Sequence, residues 1–392
     1  MNAQTGTLHP GTPLQRALAL QPAIAARADE LESARRLPAD LAAQMAKAGL
    51  FRIATPKSLG GDELPPADIV CVIEAVAAAD ASAGWCVMIG STTTVSLAYL
   101  PHAVAADMVA DPDIITGGVF APMGKAVVQG NQYRVTGRWS WASGSANCRW
   151  LFGGCVVHEG GAPRMLPGGR PDTRMMVMPA GSVELIDSWH AAGLKGSGSG
   201  DMAVKDLLVP LSHSVSLVSD SPVEQGPLYL FPVFGLLALG IAGAASGNAR
   251  AALDALRDGL AARKPAGSSR SAAERATVQV EFAKAEALLS SARALLFETL
   301  ESAWSVATAT GAVPLETRAR LRLAATHMVR TAADVTRIAY DLGGGSALYL
   351  ESPLQRRFRD AHAMTQHMMV QPATYELAGR VLLGQPVDAS ML

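Results

Sequence analysis

The most constraining feature of this 392-residue chain is a change of hydrophobic period, from helical to strand-like near residue 113 and back again near residue 228. Ile69, Val72, Ile73 and Val76 fall at i, i+3, i+4 and i+7, and Leu41, Met45 and Ala48 share a face before Gly49, a C-cap signal. Pro10, Pro13, Pro22 and Pro38 punctuate the N-terminal stretch. From Asp113 to Val218 short β-branched or apolar segments take over (125–128, 132–135, 151–157, 175–178, 202–204), separated by turns such as Gly130-Asn131. Helical spacing then dominates at 233–263, 272–308, 315–341 and 353–382. The order predicts an α+β, mostly α protein in three parts: an N-terminal helical domain (1–112), a middle antiparallel β-domain (113–222) and a C-terminal helical bundle (223–392). Lys264 to Ser271 reads as a flexible linker.

Charge excludes one class of partner. With 33 Lys+Arg against 34 Asp+Glu and a net charge of -1, nothing steers the chain toward nucleic acid. Hydrophobic residues at 49% and charged ones at 17% raise the question of a membrane. Gln225 to Ala249 and Trp85 to Leu100 are uncharged, but the second is too short to span and the first is broken by Gly226-Pro227 and Pro232. Both read as buried core helices, with no membrane partner. Met1 to Pro22 lacks a basic region followed by an apolar one, and Cys71, Cys86, Cys148 and Cys155 form no CxxC pair. A reducing, cytoplasmic location is the expectation.

Several motifs carry no chemistry. Gly196-Ser-Gly-Ser-Gly200 leads into a strand pattern rather than a helix, so it fails as a dinucleotide fingerprint. GxxxxGK[ST], GxSxG and HExxH do not occur, and His362 and His367 stand five apart, off the spacing that aims two imidazoles at one metal. No metal site is expected.

Three segments together resemble the acyl-CoA dehydrogenase superfamily over nearly the whole chain. Trp139 to Trp150 is similar to the family's flavin-contacting strand: Trp141 precedes a hydroxyl residue, Ser143, by two positions, and Trp150 follows nine after Trp141. An indole can stack beside an isoalloxazine, and a hydroxyl can bond N5 or O4, where protons change during redox chemistry. Trp189 to Pro210 looks like a family fold marker, a Gly/Ser tract running into a strand that ends Val-Pro. Tyr340 to His367, with its Gly run, Ser-Pro-Leu-Gln-Arg and Arg-Asp-Ala-His, resembles the superfamily's branch of two-component flavin-dependent monooxygenases, the group D aromatic hydroxylases. The resemblance implies a C-terminal four-helix bundle and a homotetramer, with Gly343, Gly344 and Gly345 approaching the cofactor phosphates. It also implies that Arg263 reaches a flavin phosphate across a subunit contact; a solvated helix-end cation accounts for Arg263 equally well.

Met368 separates two activities. In the commonest acyl-CoA dehydrogenases a Glu lies nine residues after the Arg of the Arg-Asp pair and removes the substrate's α-proton; here that count from Arg359 reaches Met368, whose thioether accepts no proton. His367, one residue earlier, matches the histidine of the monooxygenase branch, where reduced flavin and O2 give a C4a-hydroperoxide. An imidazole can donate to that species or take the substrate's proton, and Ser143 would hold the N5 side. Asp360 and Arg359 are expected to pair locally on their helix.

The resemblance places the substrate pocket around Trp85, Ser91 to Thr94 (Thr93 foremost), Met368, and the loop Val119 to Gly124 with Phe120. Core packing explains Trp85 and Phe120 as readily. Aromatic, thioether and hydroxyl groups suit a flat ring, with an indole preferred. The reading is an oxygenase that uses reduced FAD or FMN and O2, with a separate NAD(P)H:flavin reductase. The alternatives are an acyl-CoA dehydrogenase or oxidase acting on a CoA thioester, and a flavin-binding member without catalysis.

Overall fold

Gly130, at φ +60°, turns the chain between β1 (Thr116–Gln129) and β2 (Gln132–Trp139), the hairpin that Gly130-Asn131 announces. The computed structural model describes residues 11–262 and 271–392; Arg263 and most of the 264–271 linker lie outside them. Ahead of the hairpin come α1 (Pro13–Ala25), α2 (Ala28–Ala34), α3 (Ala39–Lys47), α4 (Pro66–Ala79), α5 (Ala81–Thr93) and α6 (His102–Met108). Local chemistry fixes their ends: Thr12 and Gln15 form a capping box on α1, and the Asp80 carboxylate accepts the Ala83 N–H at the start of α5. Ile69, Val72, Ile73 and Val76 of α4 are fully buried, each contributing roughly 1.5–3 kcal/mol of apolar transfer.

The remaining strands are β3 (Trp150–Glu159), β4 (Ala162–Pro163), β5 (Thr173–Pro179), β6 (Glu184–Ile186), β7 (Asp201–Pro210) and β8 (Ser214–Val215). The sheet order is β6-β7-β2-β1-β3-β5-β8, with β4 paired to β3. One expectation fails here. The sheet is mixed rather than antiparallel, because β3 runs parallel to β1, Thr116 facing Trp150 and Val127 facing His158. The β1–β3 pair is parallel because β2 carries the chain back toward the start of β1, and residues 140–149 then pass from β2 over that end of β1 to β3 at the same end of the sheet. The segment from Val119 to Gly124 is likewise no separate loop. It lies within β1, where the register against β3 slips between Val119 and Gly124 and pushes Phe120 to Met123 out of regular pairing.

Helices α7 (Val233–Ala262), α8 (Ala276–Thr310), α9 (Leu315–Gly343) and α10 (Pro353–Met364) form the bundle, and α11 (Ala373–Leu382) lies against α9. The continuous helix anticipated at 353–382 is therefore two helices, interrupted by turns over 365–372. The two helical regions share one core. Helix α7 lies so close to α4 that a Cβ on Gly247 would stand 2.1 Å from the Glu74 carbonyl oxygen. By length and composition α7 could cross a membrane, yet 83% of its most apolar window is buried inside the protein.

Candidate functional site

The crossover at 140–149 is stitched to the Gly/Ser tract at 196–200. Ala142 N–H donates to the Gly200 carbonyl at 2.9 Å, and Gly144 N–H to the Ser197 carbonyl at 2.8 Å. This places Ser143 in the interior, where its Oγ accepts the Trp85 Nε1–H at 3.0 Å and lies 2.6 Å from Ser199 Oγ. Ser199 Oγ is 2.7 Å from Ser197 Oγ, and the Ser197 hydroxyl donates to the Leu194 carbonyl at 2.6 Å. Trp141 takes the opposite position. Its indole is 66% exposed and its backbone stands at φ +68°, a region costly for a residue with a Cβ. Residues 140–149 are thus a connection between strands, not the strand itself, and Ser143 sits in a turn of it that the Ser145 N–H closes onto the Ala142 carbonyl.

Helix α10 docks on the same tract. The Leu194 N–H donates to Asp360 Oδ1 at 2.6 Å, and Gly193 lies so close to α10 that a Cβ there would stand 2.2 Å from the Arg359 carbonyl oxygen. Arg359 and Asp360 do not pair with each other: adjacent helical residues point apart, and Arg359 reaches Glu32 at 2.6 Å and the Ala192 carbonyl. Burial, with the Asp80 carboxylate adding to it, pushes Asp360 up to about 7 against the pull of the Leu194 N–H, Arg357 and Arg359.

His367 lies in the turn after α10, not on a helix, with its ring 5.7 Å from the Trp85 ring and edge-on to it. Its Nδ1 accepts the Met369 N–H at 3.2 Å. Desolvation, reinforced by the Arg322 guanidinium that bonds the Met369 carbonyl, lowers its pKa to about 4. The imidazole is therefore neutral near pH 7, and with Nδ1 occupied as an acceptor its proton resides on Nε2. His367 is a preset neutral donor.

The other expected site residues divide. Trp85 is buried at the centre of the junction. The Thr93 hydroxyl is spent on the Ile89 carbonyl, and Ser91 and Thr94 bond back within their own segment. Phe120 packs edge-on against Phe234, 5.2 Å between centroids, and Phe234 lines a cleft of about 370 Å³ with Tyr99, Leu217, Phe231 and Arg318; Trp85 and His367 do not line it. Met368 is 48% exposed. Gly343 is buried at the end of α9, whereas Gly344 and Gly345 are exposed, next to Leu348, Tyr349 and Leu350, each about 70% exposed. Ser197, Ser199 and Asp360 had no site role in the sequence; the alternating hydroxyls of Gly-Ser-Gly-Ser-Gly were the available signal. Among the described residues no group of three or more His, Cys, Asp or Glu is placed to hold a metal ion.

An exposed indole on strained backbone beside a buried hydroxyl fits a planar redox cofactor laid across the sheet end. Residues 17–102 match the family model for the acyl-CoA dehydrogenase N-terminal domain, and residues 239–372 that for the C-terminal domain. An indole-3-acetate monooxygenase of Pseudomonas putida is 35% identical over 363 residues, 92% of this chain and 90% of that protein. The chain belongs to the acyl-CoA dehydrogenase superfamily, among its flavin-dependent monooxygenases. A flavin-dependent monooxygenase oxygenase subunit, HsaA, of Rhodococcus jostii is 28% identical, covering 97% of this chain and all of that one. The crystal structure of 3-HSA hydroxylase from Rhodococcus sp. RHA1 superposes with a TM-score of 0.89 at 27% identity, covering 98% of this chain and 100% of the other.

Proposed function

We propose that this protein is the oxygenase component of a two-component system that hydroxylates a small aromatic or heteroaromatic ring, an indole-type acid or close analogue first among them. The reading rests on one observation: Trp85 joins Ser143 on one side and a neutral, Nε2-protonated His367 on the other. The similarity to an indole-3-acetate monooxygenase supports the choice of ring.

When bound, reduced FAD or FMN supplies the activation of O2. Trp141 would lie against the flavin, Ser143 would bond its N5 edge, and Gly344 and Gly345 would admit its phosphates. Arg263, outside the described residues, remains the proposed phosphate contact from a neighbouring subunit. His367 holds its proton on Nε2 at neutral pH, ready to donate toward the oxygen side of the reaction or to hand off a proton from the ring hydroxyl. Trp85 and Phe120 would bound the substrate, with Thr93 and the half-exposed Met368 at the rim. No carboxylate takes the place of Met368, which leaves α-proton removal from a CoA thioester without a base.

The reduced flavin would come from a separate NAD(P)H:flavin reductase. Exposed Leu348, Tyr349 and Leu350 beside Gly345 suit a homotetramer in which another subunit covers them. Four cysteines without a disulfide suit the cytoplasm. The test is a panel. Purified protein, chemically reduced FAD or FMN and O2 are mixed with indole-3-acetate, indole, a phenol or an acyl-CoA, and hydroxylated product is counted against H2O2. Product from an aromatic compound in a yield above that of flavin alone supports the proposal. Reduction of oxidised flavin by the acyl-CoA, with no aromatic product, overturns it.

A further inference from the structure

The serine chain behind Ser143 has a polarity that its two ends impose. At one end the Trp85 indole N–H can only donate, and it donates to Ser143 Oγ. At the other end the Leu194 carbonyl can only accept, and it accepts the Ser197 hydroxyl. Between them lie the contacts Ser143–Ser199 at 2.6 Å and Ser199–Ser197 at 2.7 Å. Four donors serve four contacts. With Ser197 committed to Leu194, the proton in the next contact comes from Ser199, and the proton in the one before it comes from Ser143. The only arrangement that fills every contact runs Trp85 → Ser143 → Ser199 → Ser197 → Leu194. If Ser143 turns its proton outward, one of these bonds is lost, and all three hydroxyls lie in a buried setting where such a loss is not made good by water.

We propose that Ser199 and Ser197 are positioning residues that hold Ser143 as a hydrogen-bond acceptor and so make this site select reduced over oxidised flavin. The proposal rests on the reading that Ser143 faces flavin N5. Reduced flavin carries a hydrogen on N5 and needs an acceptor there; oxidised flavin presents a bare nitrogen and needs a donor. A Ser143 with its own proton committed inward meets the first need and fails the second. The same arrangement suits an oxygenase that takes its flavin already reduced and releases it oxidised.

Binding alone provides the test. The dissociation constants of oxidised and anaerobically reduced FAD and FMN are measured for the full-length protein and its variants, and their ratio is the readout. In Ser199→Ala, Ser143 loses its acceptor and can donate outward, so the ratio of oxidised to reduced constants falls about five- to tenfold, the equivalent of roughly one hydrogen bond. Ser197→Ala, which lets Ser199 turn toward Ser143, moves it in the same direction. Ser199→Thr restores the hydroxyl and returns the ratio to within about twofold of the parent, which separates polarity from packing. An unchanged ratio in Ser199→Ala and Ser197→Ala, or an equal loss in Ser199→Thr, overturns the proposal. If Ser143→Ala leaves the ratio untouched, or the parent protein binds neither flavin, the placement of Ser143 itself is what fails.

Discussion

Two regions proposed for one cofactor are built in opposite ways. At the Trp85–Ser143–His367 junction Trp85 and Ser143 are buried and hydrogen-bonded, His367 is half-buried against Trp85, and the 192–200 tract holds the 140–149 connection through backbone bonds and α10 through the Asp360 and Arg359 side chains. At Gly344 to Leu350 the chain is exposed, and it presents large apolar side chains to solvent. The first region is preorganised within one chain and does not wait on assembly. The second holds apolar surface that a single chain leaves uncovered.

The contrast breaks most readily at the junction. His367→Ala should lower the hydroxylation rate by about 10²-fold or more, the usual weight of a positioned acid or base, while affinity for reduced flavin changes only a few-fold; single-turnover product formation measures the first and titration the second. Trp85→Ala removes a buried indole and the donor to Ser143 together, and should destabilise the fold by about 3–5 kcal/mol in urea unfolding. Substitution of Tyr349 and Leu350 by Ser should change subunit stability by no more than about 0.5 kcal/mol while shifting the assembly toward smaller species in light scattering. If the exposed pair proves as costly to the isolated fold as Trp85, the contrast is false.

Acid titration sharpens the same comparison. Asp360 is held near 7 against an ordinary 3.8, so between those values the folded protein binds more protons than the unfolded chain and stability falls as pH rises. His367, near 4 against 6.5, acts in the other sense: its contribution is present above about 6.5 and is lost as pH falls toward 4. Asp360→Asn, which keeps an acceptor for the Leu194 N–H, should make stability rise more steeply from pH 4 to 7, and His367→Gln should make it rise less. Unfolding free energies at four pH values read both slopes.

Legibility followed the range of the interaction. The periodicity of Ile69 to Val76, the Gly130-Asn131 hairpin and the strand segments are local, and they stand where the sequence placed them. The parallel pairing of β1 with β3 depends on where a crossover returns, which no local pattern encodes. The break after Met364 was signalled only by Pro372 and was masked by apolar spacing that continues on both sides. Within the site, the resemblance singled out Trp85, Ser143 and His367, and these the fold brings together. Ser197 and Ser199 were passed over because glycines dominate their tract, and Asp360 because its partner is a backbone N–H about 166 residues away, a contact that side-chain spacing cannot reveal.

The central claim is that this junction serves oxygen transfer to a ring. The most direct measurement is a single turnover of the purified protein with chemically reduced flavin, an aromatic acid and ¹⁸O2, followed by mass spectrometry of the product. The account predicts one ¹⁸O atom in the hydroxylated ring, and a loss of labelled product in His367→Ala. Unlabelled aromatic acid recovered intact, alongside an acyl-CoA that bleaches the oxidised flavin in the same preparation, would contradict it.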